Sequence, residues 1–539
     1  MRLFSRLGVS SFIKQNTTTT KKNNHTIIPI TYYTIMTVLH HHHRRGPPHH
    51  RTCHSLGHGG WWVTSLVLLG LLALSVSGFT IPTIVSSTSH CHSTGTTLTT
   101  PTATTTTTIC LGASAKDGNE EDILNPLLSL IKPSKTVEVF SLVQQLRSEG
   151  MDIVSLCVGE PDYAPPPSVL ETTSHALHKG EYTRYTAVNG LLELRQAIAK
   201  DYQRRKSLTY DPQTQIIVSN GAKQCVWQTI LALAGKDDVV LIPAPHWPYP
   251  DMTALTSATP IMIPTKAEQG YLLQPHELRQ ALQDHPTTKL LILCNPSNPT
   301  GGVYTIEQLQ ELVTVLQDYP QVHILSDEIY ERLVYTNDDN VEIEDDFTYV
   351  DTCPSIATLS PDMYRRTIVI NGLSKSHAMT GFRIGYLLAG NPAIAKAVSK
   401  IQSQITSCAS SVSQYAAITA LTKVSDAELE RNYQVMKSKR DYVLQRLSEM
   451  PHVTVQVPPQ GAFYVLPDIS YYCSDAKEED ADNFDDVALC VELLYQVGLA
   501  LVPGSAFGAP GTVRISYATS MEELTLAMQK LQDYLQSKL

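Results

Sequence analysis

From Met1 to Lys116 the chain has no Asp and no Glu. The same stretch holds nine basic residues: Arg2, Arg6, Lys14, Lys21, Lys22, Arg44, Arg45, Arg51 and Lys116. A long front segment without acids reads as an address rather than a fold. A second absence is the Cys-x-x-Cys pair, missing among ten cysteines, which removes the zinc-ribbon and thioredoxin-like redox readings. The seven later cysteines (Cys157, Cys225, Cys294, Cys353, Cys408, Cys473 and Cys490) are widely spaced. They read as reduced core thiols, with disulfide pairing as the alternative. No internal repeat is present, and positive charge is scarce in the body. Nine of the 41 basic residues lie in front, so 32 remain against all 51 acids. An acidic body speaks against nucleic acid as a partner. With 42% apolar and 17% charged residues in 539, two or three folded units of a soluble globular protein are expected.

The front segment has two parts. Residues 61–79, WWVTSLVLLGLLALSVSGF, form an uncharged apolar run behind His40–His43, Arg44, Arg45 and Arg51. The run ends in small residues before Phe79, as a signal segment does, and is nearly long enough to span a bilayer. Residues 80–115 are rich in Ser and Thr and lack acids, a transit-peptide composition. Met36 would give a more conventional start to such a leader. The histidine run reads as a solvated low-complexity tract, and no metal site is put forward.

From about Asp122 the pattern alternates. Expected strands are 215–219, 239–242, 289–294, 323–326 and 367–370, all near-continuous apolar runs, with a helix over 223–234. Such strands between helices predict a mostly parallel sheet covered on both faces, with its site at the carboxyl ends of the strands. The tail, from about Ser411, predicts a long helix over 427–450, strands at 453–457, 461–466, 500–502 and 512–516, and a helix over 487–497: a smaller α+β unit. Two acidic patches, 338–346 and 475–486, read as surface loops.

The chemistry concentrates just after the predicted strands. In Asn371–Tyr386, NGLSKSHAMTGFRIGY, Lys375 lies among small and apolar residues, eight before Arg383. Burial depresses a lysine pKa and frees its amine, which can form a Schiff base with an aldehyde. Arg383 can hold a phosphate on that aldehyde, and Asp327, in Ser326-Asp327-Glu328-Ile329-Tyr330, can hold a ring nitrogen. These demands together describe pyridoxal phosphate (PLP). Taken alone, Asp327 is also a plausible helix cap, and Tyr330 a packed aromatic. Tyr330 and Asn298, the latter in Asn295-Pro-Ser-Asn-Pro-Thr-Gly301, can reach the phenolic oxygen of the same coenzyme; the two X-Pro steps predict an extended path. Gly221-Ala222 opens a helix whose N-terminus suits phosphate. Trp247, in Pro243-Ala-Pro-His-Trp-Pro-Tyr-Pro250, can stack on the ring or simply pack. Arg514 on a short strand can take a carboxylate or a structural salt bridge.

In order, Cys157-Val-Gly-Glu-Pro-Asp162, the Asn-Pro loop, Ser-Asp-Glu-Ile-Tyr330, the Lys375 motif and Arg514-Ile-Ser-Tyr-Ala-Thr519 resemble the class I aminotransferases of PLP fold type I. The resemblance runs from about Leu124 to Leu539. It is nearest to the plastid enzymes that act on both aspartate and prephenate, through Lys132-Pro-Ser-Lys-Thr136 and Val218-Ser-Asn-Gly-Ala-Lys-Gln224. It implies an α/β fold: a large domain with a mostly parallel seven-stranded sheet flanked by helices, plus a smaller α+β domain. The implied division is a targeting presequence over 1–116, an N-terminal arm and part of the small domain over 117–165, a large PLP-binding domain over 166–410 and a C-terminal small domain over 411–539.

The implied catalytic residues are Lys375, Asp327 and Tyr330. PLP would be held by these with Asn298, Trp247, Arg383, Gly221, Ala222 and, reaching across from a neighbouring subunit, Tyr185. Substrate would meet Gly159, Arg514, Trp247, Asn298, Lys132, Thr136 and Lys223. Partners would be amino acids and keto acids and a second copy of the chain, with no membrane in the mature form. The activity implied is ping-pong transamination between glutamate or aspartate and prephenate or oxaloacetate. Another specificity, or C–S lyase chemistry on the same fold, is the alternative; a PLP-sensing regulator is not supported, because no helix-turn-helix precedes the fold. The two-part leader resembles plastid presequences of algae with complex plastids, the mitochondrion or a retained membrane anchor being alternatives. Two departures stand out. One residue, Pro248, separates Trp247 from Tyr-Pro where the family has two, which predicts a tilt of the Trp247 ring. His377 stands where an aromatic is usual.

Overall fold

The computed structural model describes residues 123–180, 182–335, 353–473 and 484–539, all within the unit Leu111–Leu539. The leader and the acidic patch 338–346 lie outside the described residues. Of the patch 475–486 only the last three residues are described. There the surface-loop expectation fails: Asp486 is buried and begins the helix Asp486–Glu492, its Oδ2 accepting from the Ser505 N–H at 2.7 Å. Among the described residues no helix is long and apolar enough to cross a membrane, and the seven described cysteines are all free.

A two-residue strand comes first, β1 (Val154–Ser155). It is followed by β2 (Ile216–Ser219), β3 (Val239–Ala244), β4 (Thr259–Pro264), β5 (Thr288–Cys294), β6 (His323–Asp327), β7 (Thr367–Gly372) and β8 (Gly385–Ala389). The last seven form one sheet in the order β2-β8-β7-β6-β5-β3-β4. All neighbours are parallel except those of β8, which runs against both β2 and β7.

The apolar runs explain the double cover, since successive side chains leave a strand on opposite faces. In β5, Leu290 and Ile292 pack with the helices Ala222–Leu233 and Pro392–Ile405, through Val226, Ile230, Ile394 and Val398. Leu291 and Leu293 pack the other way, on the helices Pro275–Asp284 and Ile306–Leu316, through Leu278, Leu282, Leu309 and Leu312. Each such buried side chain contributes about 1.5–3 kcal/mol. The five predicted strands are all present. β4 and β8 were not expected: β4 carries Pro260 and Pro264, which an interior strand does not tolerate, and it lies at the sheet edge, paired only with β3.

The tail contributes β9 (Tyr464–Val465), β10 (Leu499–Ala500), β11 (Val502–Pro503) and β12 (Val513–Ser516). β10 pairs with β1 in parallel, and β11-β12-β9 form an antiparallel sheet. The helices Asp426–Ser448 and Met521–Gln536 pack with these strands through Leu429, Met436, Val443, Leu524, Met528 and Leu531. The strand expected at 453–457 does not form. Only Thr454 bridges to Asp468, and the backbone there is otherwise irregular, with a bend at residues 456–457.

Candidate active site

Four strands of the main sheet deliver the site from their carboxyl ends. β6 ends on Asp327, which is buried. Its Oδ2 accepts the Tyr249 hydroxyl at 2.8 Å and its Oδ1 the Ile329 N–H at 3.3 Å. Burial pushes its carboxyl up to about 6, against those hydrogen bonds and the Lys375 charge. β7 runs out through Gly372 to Lys375, whose Nζ donates to the Gly159 carbonyl and lies 5.9 Å from the Tyr330 ring centre and 5.7 Å from that of Phe463. Burial pulls this amine down to about 8; Glu160 opposes that, and Arg514 and Arg383 reinforce it.

β5 leads into the Asn-Pro loop. It is folded back rather than extended, contrary to expectation: Asn295–Pro296 and Asn298–Pro299 are both cis, and Gly301 N–H donates to Ser297 O at 3.0 Å. The turn presents Asn298 to Arg514, whose Nη1 donates to Asn298 Oδ1 at 3.1 Å. Arg514 Nη2 donates to Cys157 O at 2.7 Å, and its Nε is buried without an acceptor. β2 leads to Gly221, the cap of the helix Ala222–Leu233. Gly221 has φ +89°, and a Cβ there would run into the Arg383 guanidinium. The helix therefore begins hard against a cation, with its own positive end and unsatisfied N–H groups beside it.

These elements enclose a cavity of about 310 Å³. All but three of the residues named from the sequence line it: Lys375, Asp327, Tyr330, Asn298, Trp247, Arg383, Ala222, Gly159, Arg514, Thr136 and Lys223. Gly221 sits behind the lining against Arg383. Lys132 is exposed and outside it, its N–H donating to Asp251 Oδ1 at 3.3 Å. Tyr185 is also outside and 89% exposed. Despite the shortened loop, Trp247 faces the cavity, with the Lys223 ammonium 5.0 Å from its ring centre. His377 is buried and held neutral, its pKa pushed down to about 3 by burial and then by Arg332; its Nδ1 is 2.8 Å from Ser376 Oγ.

Sequence reasoning missed Tyr249, Tyr464 and Glu160. Tyr464 shares a 3.0 Å hydrogen bond with Tyr330, hydroxyl to hydroxyl, and a Cβ on Gly159 would strike its hydroxyl. Glu160 lines the cavity and accepts from the Thr380 hydroxyl. The glycine at 159 was the available signal, since a backbone that must pass so close to another side chain admits no Cβ.

The donor set suits PLP. A buried carboxylate can face a protonated ring nitrogen, an amine of depressed pKa can condense with an aldehyde, a helix N-terminus with Arg383 can take phosphate, and Arg514, its Nε unsatisfied, is suited to an anion.

The profile of the family described as aminotransferase class I and II matches residues 151–531. The bifunctional aspartate aminotransferase and glutamate/aspartate-prephenate aminotransferase of Petunia hybrida is 40% identical over 423 residues, covering 77% of this chain and 83% of that protein. The aspartate/prephenate aminotransferase of Cereibacter sphaeroides (strain ATCC 17029 / ATH 2.4.9) is 40% identical over 412 residues, covering 76% and 98%. Among solved structures, the aspartate aminotransferase of Thermus thermophilus with maleate aligns with a TM-score of 0.68 at 33% identity, covering 76% of this chain and 99% of that one. The chain belongs to the class I and II aminotransferases and is a PLP-dependent transaminase.

Proposed function

We infer that this transaminase moves the amino group of glutamate or aspartate to prephenate, giving arogenate, and also to oxaloacetate. The observation that carries the reading is the charge of the cavity wall. Arg514, Lys223 and Arg383 line it together with Lys375; with Arg383 given to the phosphate, two cations remain beyond the reacting amine, matched to acceptors that carry two carboxylates. The names of the Petunia and Cereibacter relatives and the maleate in the Thermus structure support the same class of substrate.

In this reading Asp327, Tyr330, Asn298, Trp247, Arg383 and the Gly221-Ala222 N-terminus hold PLP. When bound, PLP supplies the electron sink that makes the α-hydrogen of an amino acid acidic. Arg514, gripped by Asn298 and Cys157 O, orients the α-carboxylate, and Lys223 and Thr136 face the distal one. Lys375 Nζ, whose pKa burial lowers to about 8 so that it gives up its proton far more readily than a free lysine, takes the proton from the α-carbon in both half-reactions.

The chain divides as 117–165, 166–410 and 411–539 behind a presequence, and acts as a homodimer. Exposed apolar residues Ile123, Leu130, Phe140 and Leu177, with Tyr185, supply a surface for the second copy. The acid-free leader with its apolar run suits delivery to a plastid.

The test is a substrate panel on protein beginning near Asp117. Glutamate with prephenate yields arogenate, and aspartate with 2-oxoglutarate yields oxaloacetate. Lys375→Ala lowers both rates by about 10²–10⁴ or more, the contribution of a positioned base. Aspartate turnover without arogenate would remove prephenate from the reading, and release of thiol from sulfur amino acids in place of both would move it to C–S lyase chemistry.

A further inference from the structure

Tyr249 is buried, 2% exposed, at the start of the short helix Tyr249–Ala254. Its hydroxyl donates to Asp327 Oδ2 at 2.8 Å across 78 residues of sequence. The other oxygen, Oδ1, is taken by the Ile329 N–H. The two anchors act on different oxygens, so the plane of the carboxylate cannot rotate without breaking one of them. The Tyr249 ring also meets the Trp247 ring edge-on, with centres 5.4 Å apart and planes at 71°. A single turn of chain, Trp247-Pro248-Tyr249, thus sets both the cavity-facing indole and the orientation of the buried acid, and the single-residue spacer between the two aromatics leaves little slack between them.

We propose that Tyr249 is a positioning residue of this active site: through its hydroxyl it aims the Asp327 carboxylate at the coenzyme ring, and through its ring it braces Trp247. The proposal rests on the reading of Asp327 as the partner of the ring nitrogen. Besides Asp327, the hydroxyl is within hydrogen-bond reach of the Cys294 thiol, a far weaker acceptor than a carboxylate. Tyr249 lines the cavity but offers its one donor to Asp327 rather than to the open space. A buried carboxylate that loses a hydrogen bond of this kind loses a charge-assisted contact and regains rotational freedom.

The test uses the holoenzyme of three variants. In Tyr249→Phe the ring and its packing remain and only the hydroxyl goes. Coenzyme escape during gel filtration, followed by visible absorbance, becomes about ten- to a hundredfold faster, the range for a hydrogen bond to a charged group. kcat falls with it while KM for aspartate holds, because Arg514 is untouched. Tyr304→Phe is the control: its hydroxyl is also buried but accepts the Leu273 N–H at 2.8 Å, away from Asp327, and coenzyme retention stays at the wild-type level. Asp327→Ala separates the two layers. If it loses coenzyme while Tyr249→Phe keeps it, the role of Tyr249 is overturned and that of Asp327 stands. If all three variants keep coenzyme, the reading of Asp327 itself fails, and this proposal with it. Equal losses in Tyr249→Phe and Tyr304→Phe would mark a general packing effect and would also overturn the proposal.

Discussion

Lys375 stands between opposing influences. Burial strips water from its ammonium and Arg514 and Arg383 repel it, while Glu160 and Asp327 attract it, and the balance falls at about 8. The neutral amine is the form that condenses with an aldehyde. Uptake of PLP by coenzyme-free protein should therefore accelerate as pH rises towards about 8 and level off beyond it, followed by absorbance and borohydride trapping. The sign of the Glu160 contribution can be tested separately. Glu160 raises the Lys375 pKa, so Glu160→Gln lowers it further and moves the uptake profile to lower pH. A profile that stays in place, or moves up, would show that Glu160 does not act on the amine. Most site residues were legible because each sat in a spelled motif after an apolar strand. Tyr249 and Tyr464 were not. A tyrosine in a Pro-rich loop or an apolar run reads as packing, and its hydroxyl partner lies 78 or 134 residues away, a proximity that only the folded sheet creates.

At the level of elements, packing outweighs local signals. The helix Ile306–Leu316 has a complete capping box: the Thr305 side chain accepts the Gln308 N–H at 3.2 Å and the Gln308 side chain accepts the Thr305 N–H at 2.9 Å. Its apolar face, with Leu312 wholly buried, lies on one side of the sheet. Thr305→Ala should cost about 0.5–2 kcal/mol and Leu312→Ala about 2–5 kcal/mol, measured by denaturant unfolding. Equal costs would mean that packing does not outweigh the cap in this helix. The same hierarchy explains what the sequence left hidden. Strands of continuous Leu, Ile and Val were legible because burial on both faces demands that composition. β4 was obscured by Pro260 and Pro264, acceptable only because it occupies an edge, and β8 by its place inside a motif read for chemistry. The alternating Val453–Val457 run looks like a strand, yet all but Thr454 lacks a partner, and β-propensity without a neighbour does not make a sheet.

On the scale of the whole molecule, the unresolved contrast is Tyr185: named for the site, yet outside the cavity of its own chain and 89% exposed. Both facts agree if it serves the site of a second copy, as the homodimer proposal requires. Subunit mixing tests this directly. Lys375→Ala chains lack the base but keep Tyr185; Tyr185→Ala chains keep the base but lack the reaching side chain. In a hybrid of the two, a symmetric pairing gives one site damaged twice and one site intact. Random re-association of equal amounts makes half the dimers hybrids, so roughly a quarter of all sites regain both groups. Activity and coenzyme retention should rise above the mean of the two parents by that proportion after denaturation and joint refolding, and not after mixing of the intact dimers. No gain on joint refolding would mean that Tyr185 does not complete a neighbour's site, and its exposure would then be that of an ordinary surface residue.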